Sequence, residues 1–141
     1  MRVVALEEHF TAPSLAKRID PAAIAARGFK ERRLLPGRPN PFELAAEIGE
    51  RRLKSMDDAG ITLQVLSSTG PGPDLVPGPD GVGMARELND HLAAACAKYP
   101  DRFRGFAAMP MASPEACAAE LRRAVKDLGF LGALINGTCE G

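Results

Sequence analysis

The chain has 141 residues, 45% of them hydrophobic and 26% charged, which suits one ordinary domain with a buried core and excludes wholesale disorder. Eighteen Lys and Arg balance eighteen Asp and Glu, so neither a general nucleic-acid binder nor a membrane-surface protein is expected. No apolar run approaches a membrane span, and Glu7 and Glu8 interrupt any signal-peptide pattern. The three cysteines, Cys96, Cys117 and Cys139, lack metal-type spacing and read as small buried hydrophobes or unpaired thiols in a cytoplasmic protein.

Val3-Val4-Ala5-Leu6 opens the chain as a short buried strand over 3–7, rich in β-branched residues. Alternate strand residues share a face, so Glu7 and His9 project together from its C-terminal end, with Val3 and Ala5 facing a barrel interior. From Thr11 to Pro41 the chain is a long loop punctuated by proline and glycine, with a short helix over Ala22 to Ala26 started by Asp20-Pro21. Lys17, Arg18, Arg27, Lys30, Arg32, Arg33 and Arg38 make it basic, as a solvated loop or as a flap over an anionic substrate.

A helix is predicted over 43–59, with Gly49 weakening its middle and Gly60 ending it, and a strand over 61–66 that leaves Ser67, Ser68 and Thr69 at its end. After a second Gly/Pro loop comes a helix over 83–98, its apolar stripe formed by Ala85, Leu88, Leu92, Cys96 and Tyr99. His91 in that helix reads as a surface histidine. A strand over 103–108 follows. Ser113-Pro114-Glu115 then starts a helix over 114–128, with Ser113 as its cap and Cys117, Leu121, Ala124, Val125 and Leu128 as its stripe. The last strand, 130–135, leads into Asn136.

Strands and helices therefore alternate, and the near-continuous apolar strands are those of a parallel sheet covered by helices. Polar residues gather at the strands' C-terminal ends, where parallel α/β folds place their chemistry, which suits a doubly wound sheet or half of a (β/α)8 barrel. Gly-x-Gly-x-x-Gly and P-loop motifs are absent from the sequence. A carboxylate beside an imidazole makes half of a divalent metal site, although Glu-x-His also suits a strand's exit into solvent. Ser67 and Ser68 have no evident histidine partner, which argues against serine nucleophilic catalysis.

Several motifs in order carry a resemblance. Ala5-Leu6-Glu7-Glu8-His9-Phe10, Leu53-Lys54-Ser55-Met56-Asp57-Asp58-Ala59-Gly60-Ile61, Cys96-Ala97-Lys98-Tyr99-Pro100-Asp101-Arg102-Phe103 and Leu128-Gly129-Phe130-Leu131-Gly132-Ala133-Leu134-Ile135-Asn136-Gly137 are among them. Together they resemble the amidohydrolase-related decarboxylases of the γ-resorcylate and aminocarboxymuconate-semialdehyde type, over nearly the whole chain except the Thr11 to Pro41 loop. The resemblance implies a metal-dependent (β/α)8 barrel, of which residues 1–141 form the N-terminal half. It also implies a carbon–carbon lyase that releases CO2 from hydroxybenzoate-type or related unsaturated carboxylates, a homo-oligomer with no nucleic-acid or membrane partner.

By the same resemblance Glu7 and His9 are metal ligands, for zinc or manganese, and Asn136 faces the substrate. Glu8, on the opposite strand face, reads as a structural carboxylate or as one that supports a metal ligand from behind. The family's further ligands, a His after the fifth strand and an Asp after the eighth, have no counterpart here, and neither has its proton-transfer histidine. A fragment inactive by itself is therefore expected. The alternatives are a metal-dependent hydrolase of the same superfamily, or a non-catalytic truncated half-barrel.

Overall fold

The computed structural model describes residues 1–28, 36–37, 39–70 and 72–135. Asn136 and Cys139 lie outside the described residues, as do Lys30, Arg32, Arg33 and Arg38 of the basic loop. Four strands form one sheet: β1 (Val4–Phe10), β2 (Leu63–Ser68), β3 (Phe103–Ala107) and β4 (Gly132–Ala133). Every pair is parallel and the order is β1-β2-β3-β4. Each strand thus lies beside its sequence neighbour, which is the winding of a (β/α)8 barrel and not the reversed order of a doubly wound sheet.

The helices are α1 (Pro13–Ala16), α2 (Pro21–Ala26), α3 (Pro41–Ala46), α4 (Glu50–Asp58), α5 (Gly78–Lys98) and α6 (Pro114–Lys126). α4, α5 and α6 pack on one face of the sheet through Met56, Leu88, Leu92 and Ala124. Phe10, Met56, Leu66, Leu88, Leu92, Phe103 and Phe130 are buried in the core there. Gly105 of β3 makes room for this packing, because a Cβ on it would stand 2.7 Å from the Phe130 ring and 3.0 Å from Leu92. The α5 stripe is as expected: Ala85, Leu88 and Leu92 are buried, and Cys96 and Tyr99 pack against them. His91 is exposed on α5, its ring stacked at 6.1 Å on Phe10.

Several boundaries differ from expectation. The helix expected over 43–59 is two, because Glu47 takes an extended backbone and its carboxylate accepts the Arg52 amide at 3.0 Å, capping α4. α5 starts at Gly78 instead of 83. Pro79 and Asp80 in its first turn favour a helix start, which the cluster of Gly78, Gly81 and Gly83 masks in the sequence. The Ser113 side chain makes no capping hydrogen bond, although α6 does begin at Pro114. The Asp20 carboxylate does cap α2, accepting from the Ala22 amide at 2.8 Å. β4 has only two residues, and Leu131 and Ile135 beside it are 59% and 57% exposed.

The α6 stripe holds in part: Ala124 is buried and Cys117 and Leu128 pack against the core. Leu121 and Val125 stand 38% and 39% exposed, while Glu120 is buried. Its carboxylate accepts hydrogen bonds from Asn89 at 2.8 Å and from Arg123 at 2.7 and 2.9 Å. Burial works against this charge. The hydrogen bonds from Arg123 and Asn89 and the nearby cations Arg123 and Arg86 outweigh it and hold the Glu120 carboxyl below the ordinary range.

Candidate metal centre

β1 continues three residues past the expected end at Glu7, so Glu7, Glu8 and His9 all lie within the strand. The pairing with β2 is interrupted there. Ala5 pairs with Gln64 and Glu8 with Leu66, so Leu6 and Glu7 together stand opposite Val65 alone. This is a β-bulge, and Glu7 within it has φ +58°. A side chain in that left-handed region costs about 1–3 kcal/mol, and bulges next to active sites re-aim side chains. Sequence patterning misses this feature because the position holds neither Gly nor Asn, the usual left-handed residues.

The register also corrects the expected facing of β1. Ala5 pairs with Gln64, whose side chain meets Arg52 of α4, so Ala5 lies on the helix-covered face. Val4, paired with Leu63, belongs to the opposite rank, with Val65 and Ser67. His9 pairs with Ser67 and joins that rank. Its Nδ1 lies 3.1 Å from Ser67 Oγ, which leaves Nε2 as the ring's other donor atom.

Ser67 therefore does have a histidine partner, contrary to expectation. It is 0% exposed, so its hydroxyl is out of a substrate's reach and nucleophilic catalysis remains unsupported. The contact was not foreseeable from spacing, since 58 residues separate the two in sequence.

A second network holds the strand end from behind. The Arg52 guanidinium donates to the His9 carbonyl at 2.8 Å, to Gln64 Oε1 at 3.3 Å and to the Glu47 carbonyl at 3.2 Å. Gln64 Nε2 donates to Glu8 Oε2 at 3.1 Å. Glu8 is thus tied to the sheet's helix-covered side, as expected of a structural carboxylate. Burial lowers the Arg52 pKa, against the opposing charges of Glu8 and Glu47.

The donor set fits a divalent cation in kind. The Glu7 carboxylate is exposed and has no hydrogen-bond or ion-pair partner among the described residues, and the exposed His9 ring keeps one nitrogen open. In number it is half a site: among the described residues, no three His, Cys, Asp or Glu come together as a metal group. Ser68, Thr69, Gly72, Asp74, Met109 and Met111 line a small cleft at the C-terminal ends of β2 and β3, to which neither Glu7 nor His9 contributes. That end is where barrel enzymes bind their substrates.

A family model described as amidohydrolase matches residues 5–141. The chain belongs to the amidohydrolase family. Among its amidohydrolase relatives, γ-resorcylate decarboxylase of Rhodococcus jostii is 42% identical over 138 residues, which is 95% of this chain and 38% of that protein. The crystal structure of 2,6-dihydroxybenzoate decarboxylase complexed with 2,6-dihydroxybenzoate superposes with a TM-score of 0.76 at 39% identity, covering 97% of this chain and 39% of that one. A 5-carboxyvanillate decarboxylase from Novosphingobium aromaticivorans, complexed with manganese and a nitrobenzoic acid, reaches 0.83 at 31% identity, covering 99% and 43%. The chain thus spans about two fifths of the length of these relatives. No helix among the described residues is long and apolar enough to cross a membrane.

Proposed function

We propose that Glu7 and His9 are two ligands of a divalent-metal centre, manganese or zinc, in an enzyme that releases CO2 from hydroxybenzoate-type carboxylates. One observation carries the reading. A strained bulge sets an unpartnered carboxylate two residues from an anchored imidazole, at the strand end where barrels hold their chemistry. Kinship with decarboxylases of 2,6-dihydroxybenzoate and 5-carboxyvanillate supports the substrate class. A bound divalent ion would supply Lewis acidity and a template for the substrate's carboxylate and neighbouring phenolic oxygen.

The chain's own residues then divide the work. Glu7 contributes a carboxylate oxygen and His9 the Nε2 nitrogen, while Arg52 and Gln64 hold the strand that carries both. Loss of CO2 requires a proton at the carboxylate-bearing carbon. Glu8, Ser67 and His91 are not placed to give it: Glu8 is bound to Gln64, Ser67 is buried and His91 lies on α5 against Phe10.

Elemental analysis after dialysis against manganese or zinc tests the assignment. The wild-type chain should take up the ion weakly, as a two-ligand site does, and Glu7→Gln and His9→Ala should each lose most of that binding, since each removes a ligand. Equal metal content in wild type and both variants would overturn the assignment.

A further inference from the structure

We infer that Ser67 is a positioning residue for His9: its hydroxyl accepts the Nδ1 proton and so presents Nε2, with its lone pair, to an incoming cation. The inference rests on the metal reading of Glu7 and His9. Three observations carry it. The sheet register places the two residues opposite one another, so the 3.1 Å contact is built into the pairing of β1 with β2. Ser67 is wholly buried, so its oxygen is a fixed point beneath an exposed ring. The His9 backbone is clamped independently, its carbonyl accepting from Arg52 at 2.8 Å. With the backbone held, the ring's remaining freedom is its flip and its tautomer, and the Ser67 contact acts on both.

The chemistry explains why this matters. A neutral imidazole in water carries its proton mainly on Nε2, which leaves that nitrogen no lone pair for a metal. Which ring nitrogen is protonated in a protein is set by the hydrogen bond the other one makes. Metal-binding histidines generally donate their second ring N–H to such a partner, and losing the partner costs about 10–100-fold in metal affinity. Ser67 stands where that partner belongs.

The chain has two histidines, so a His91→Gln background leaves His9 as the single imidazole. Long-range proton–nitrogen correlation spectra of the metal-free chain at about pH 8, above the ordinary imidazole pKa, then read the tautomer directly. His9 should carry its proton on Nδ1 with Ser67 intact and mainly on Nε2 in Ser67→Ala. Ser67→Cys keeps the side chain's shape but offers a poor acceptor, so it should follow Ser67→Ala; a packing role alone would leave it like wild type. Calorimetric Zn2+ affinity should fall about tenfold or more in Ser67→Ala. Protonation on Nε2 with Ser67 intact, or on Nδ1 in Ser67→Ala, would overturn the inference. Zn2+ binding equally with and without the hydroxyl would overturn the positioning role alone. A Ser67-dependent tautomer in a chain that binds no Zn2+ would instead overturn the metal reading.

Discussion

Glu7 is the only non-glycine residue with positive φ among the described residues. An L side chain there carries a Cβ clash that glycine avoids, about 1–2 kcal/mol. Glu7→Gly should therefore be more stable than Glu7→Ala by about that amount in thermal or urea unfolding, although both lose the carboxylate. Equal stability of the two variants would show that the bulge does not hold this backbone. Cys96 is a contrasting case at the same scale. Burial, only partly offset by Arg104, pushes its thiol up to about 11, so at neutral pH it behaves as the half-buried core residue that the sequence suggested.

At the scale of elements, α5 and α6 are joined to the end of β3 through one buried cluster. Asn89 on α5 donates to the Ala108 carbonyl at 3.0 Å and accepts from the Ala108 amide at 2.8 Å, which continues β3's hydrogen bonding past its last residue. It also donates to Glu120 on α6, whose side chain is 1% exposed. Arg123 closes the cluster by bonding both Glu120 and Asp90 of α5. Asn89→Ala leaves the Ala108 peptide groups buried without partners, and about 1–3 kcal/mol of stability should be lost.

The cluster also sets a pH dependence. The Glu120 pKa is depressed on folding, so its contribution is complete above the ordinary carboxylate pKa and disappears as pH falls through the lower, folded value. Glu120→Gln should be less stable at neutral pH and should lose less of its stability on acidification than wild type. Unfolding curves with the same acid slope for both proteins would count against this account.

For the molecule as a whole, the edges of the sheet decide its behaviour in solution. β1 and β4 each pair with one strand, and their outer edges have no strand partner among the described residues. Apolar side chains stand exposed at both: Val4 at 46% and Leu6 at 63% on β1, Leu131 at 59% and Ile135 at 57% flanking β4. Open parallel edges with apolar side chains favour association. The purified 141-residue chain should elute from a sizing column well above its 15.0 kDa, and the double variant Val4→Lys, Leu6→Glu should shift it toward the monomer. A monomeric wild-type chain at tens of micromolar (about the range where such association shows) would contradict this.

The alternation of apolar strands with amphipathic helices was legible in the sequence because both periodicities are local. The pattern places Val65, Leu66 and Phe103 in buried strands and Leu88 and Leu92 on a buried helix stripe, and all five are buried. The Glu7 and His9 candidates also came from a short local motif. Pairing and register were not local, and they decided the remainder. The order β1-β2-β3-β4 settled barrel winding over a doubly wound sheet. The bulge at Leu6-Glu7 changed which β1 residues share a face. Ser67 met His9 across 58 residues and Asn89 met Glu120 across 31, contacts that no spacing within a single element could reveal. Glu120 shows the limit most plainly: a charged residue reads as surface until tertiary packing supplies the Arg and Asn that make its burial tolerable. Composition and periodicity determined where chain segments turn apolar; only the packed sheet decided which polar groups face one another, because a hydrogen bond depends on distance in space and not on distance along the chain.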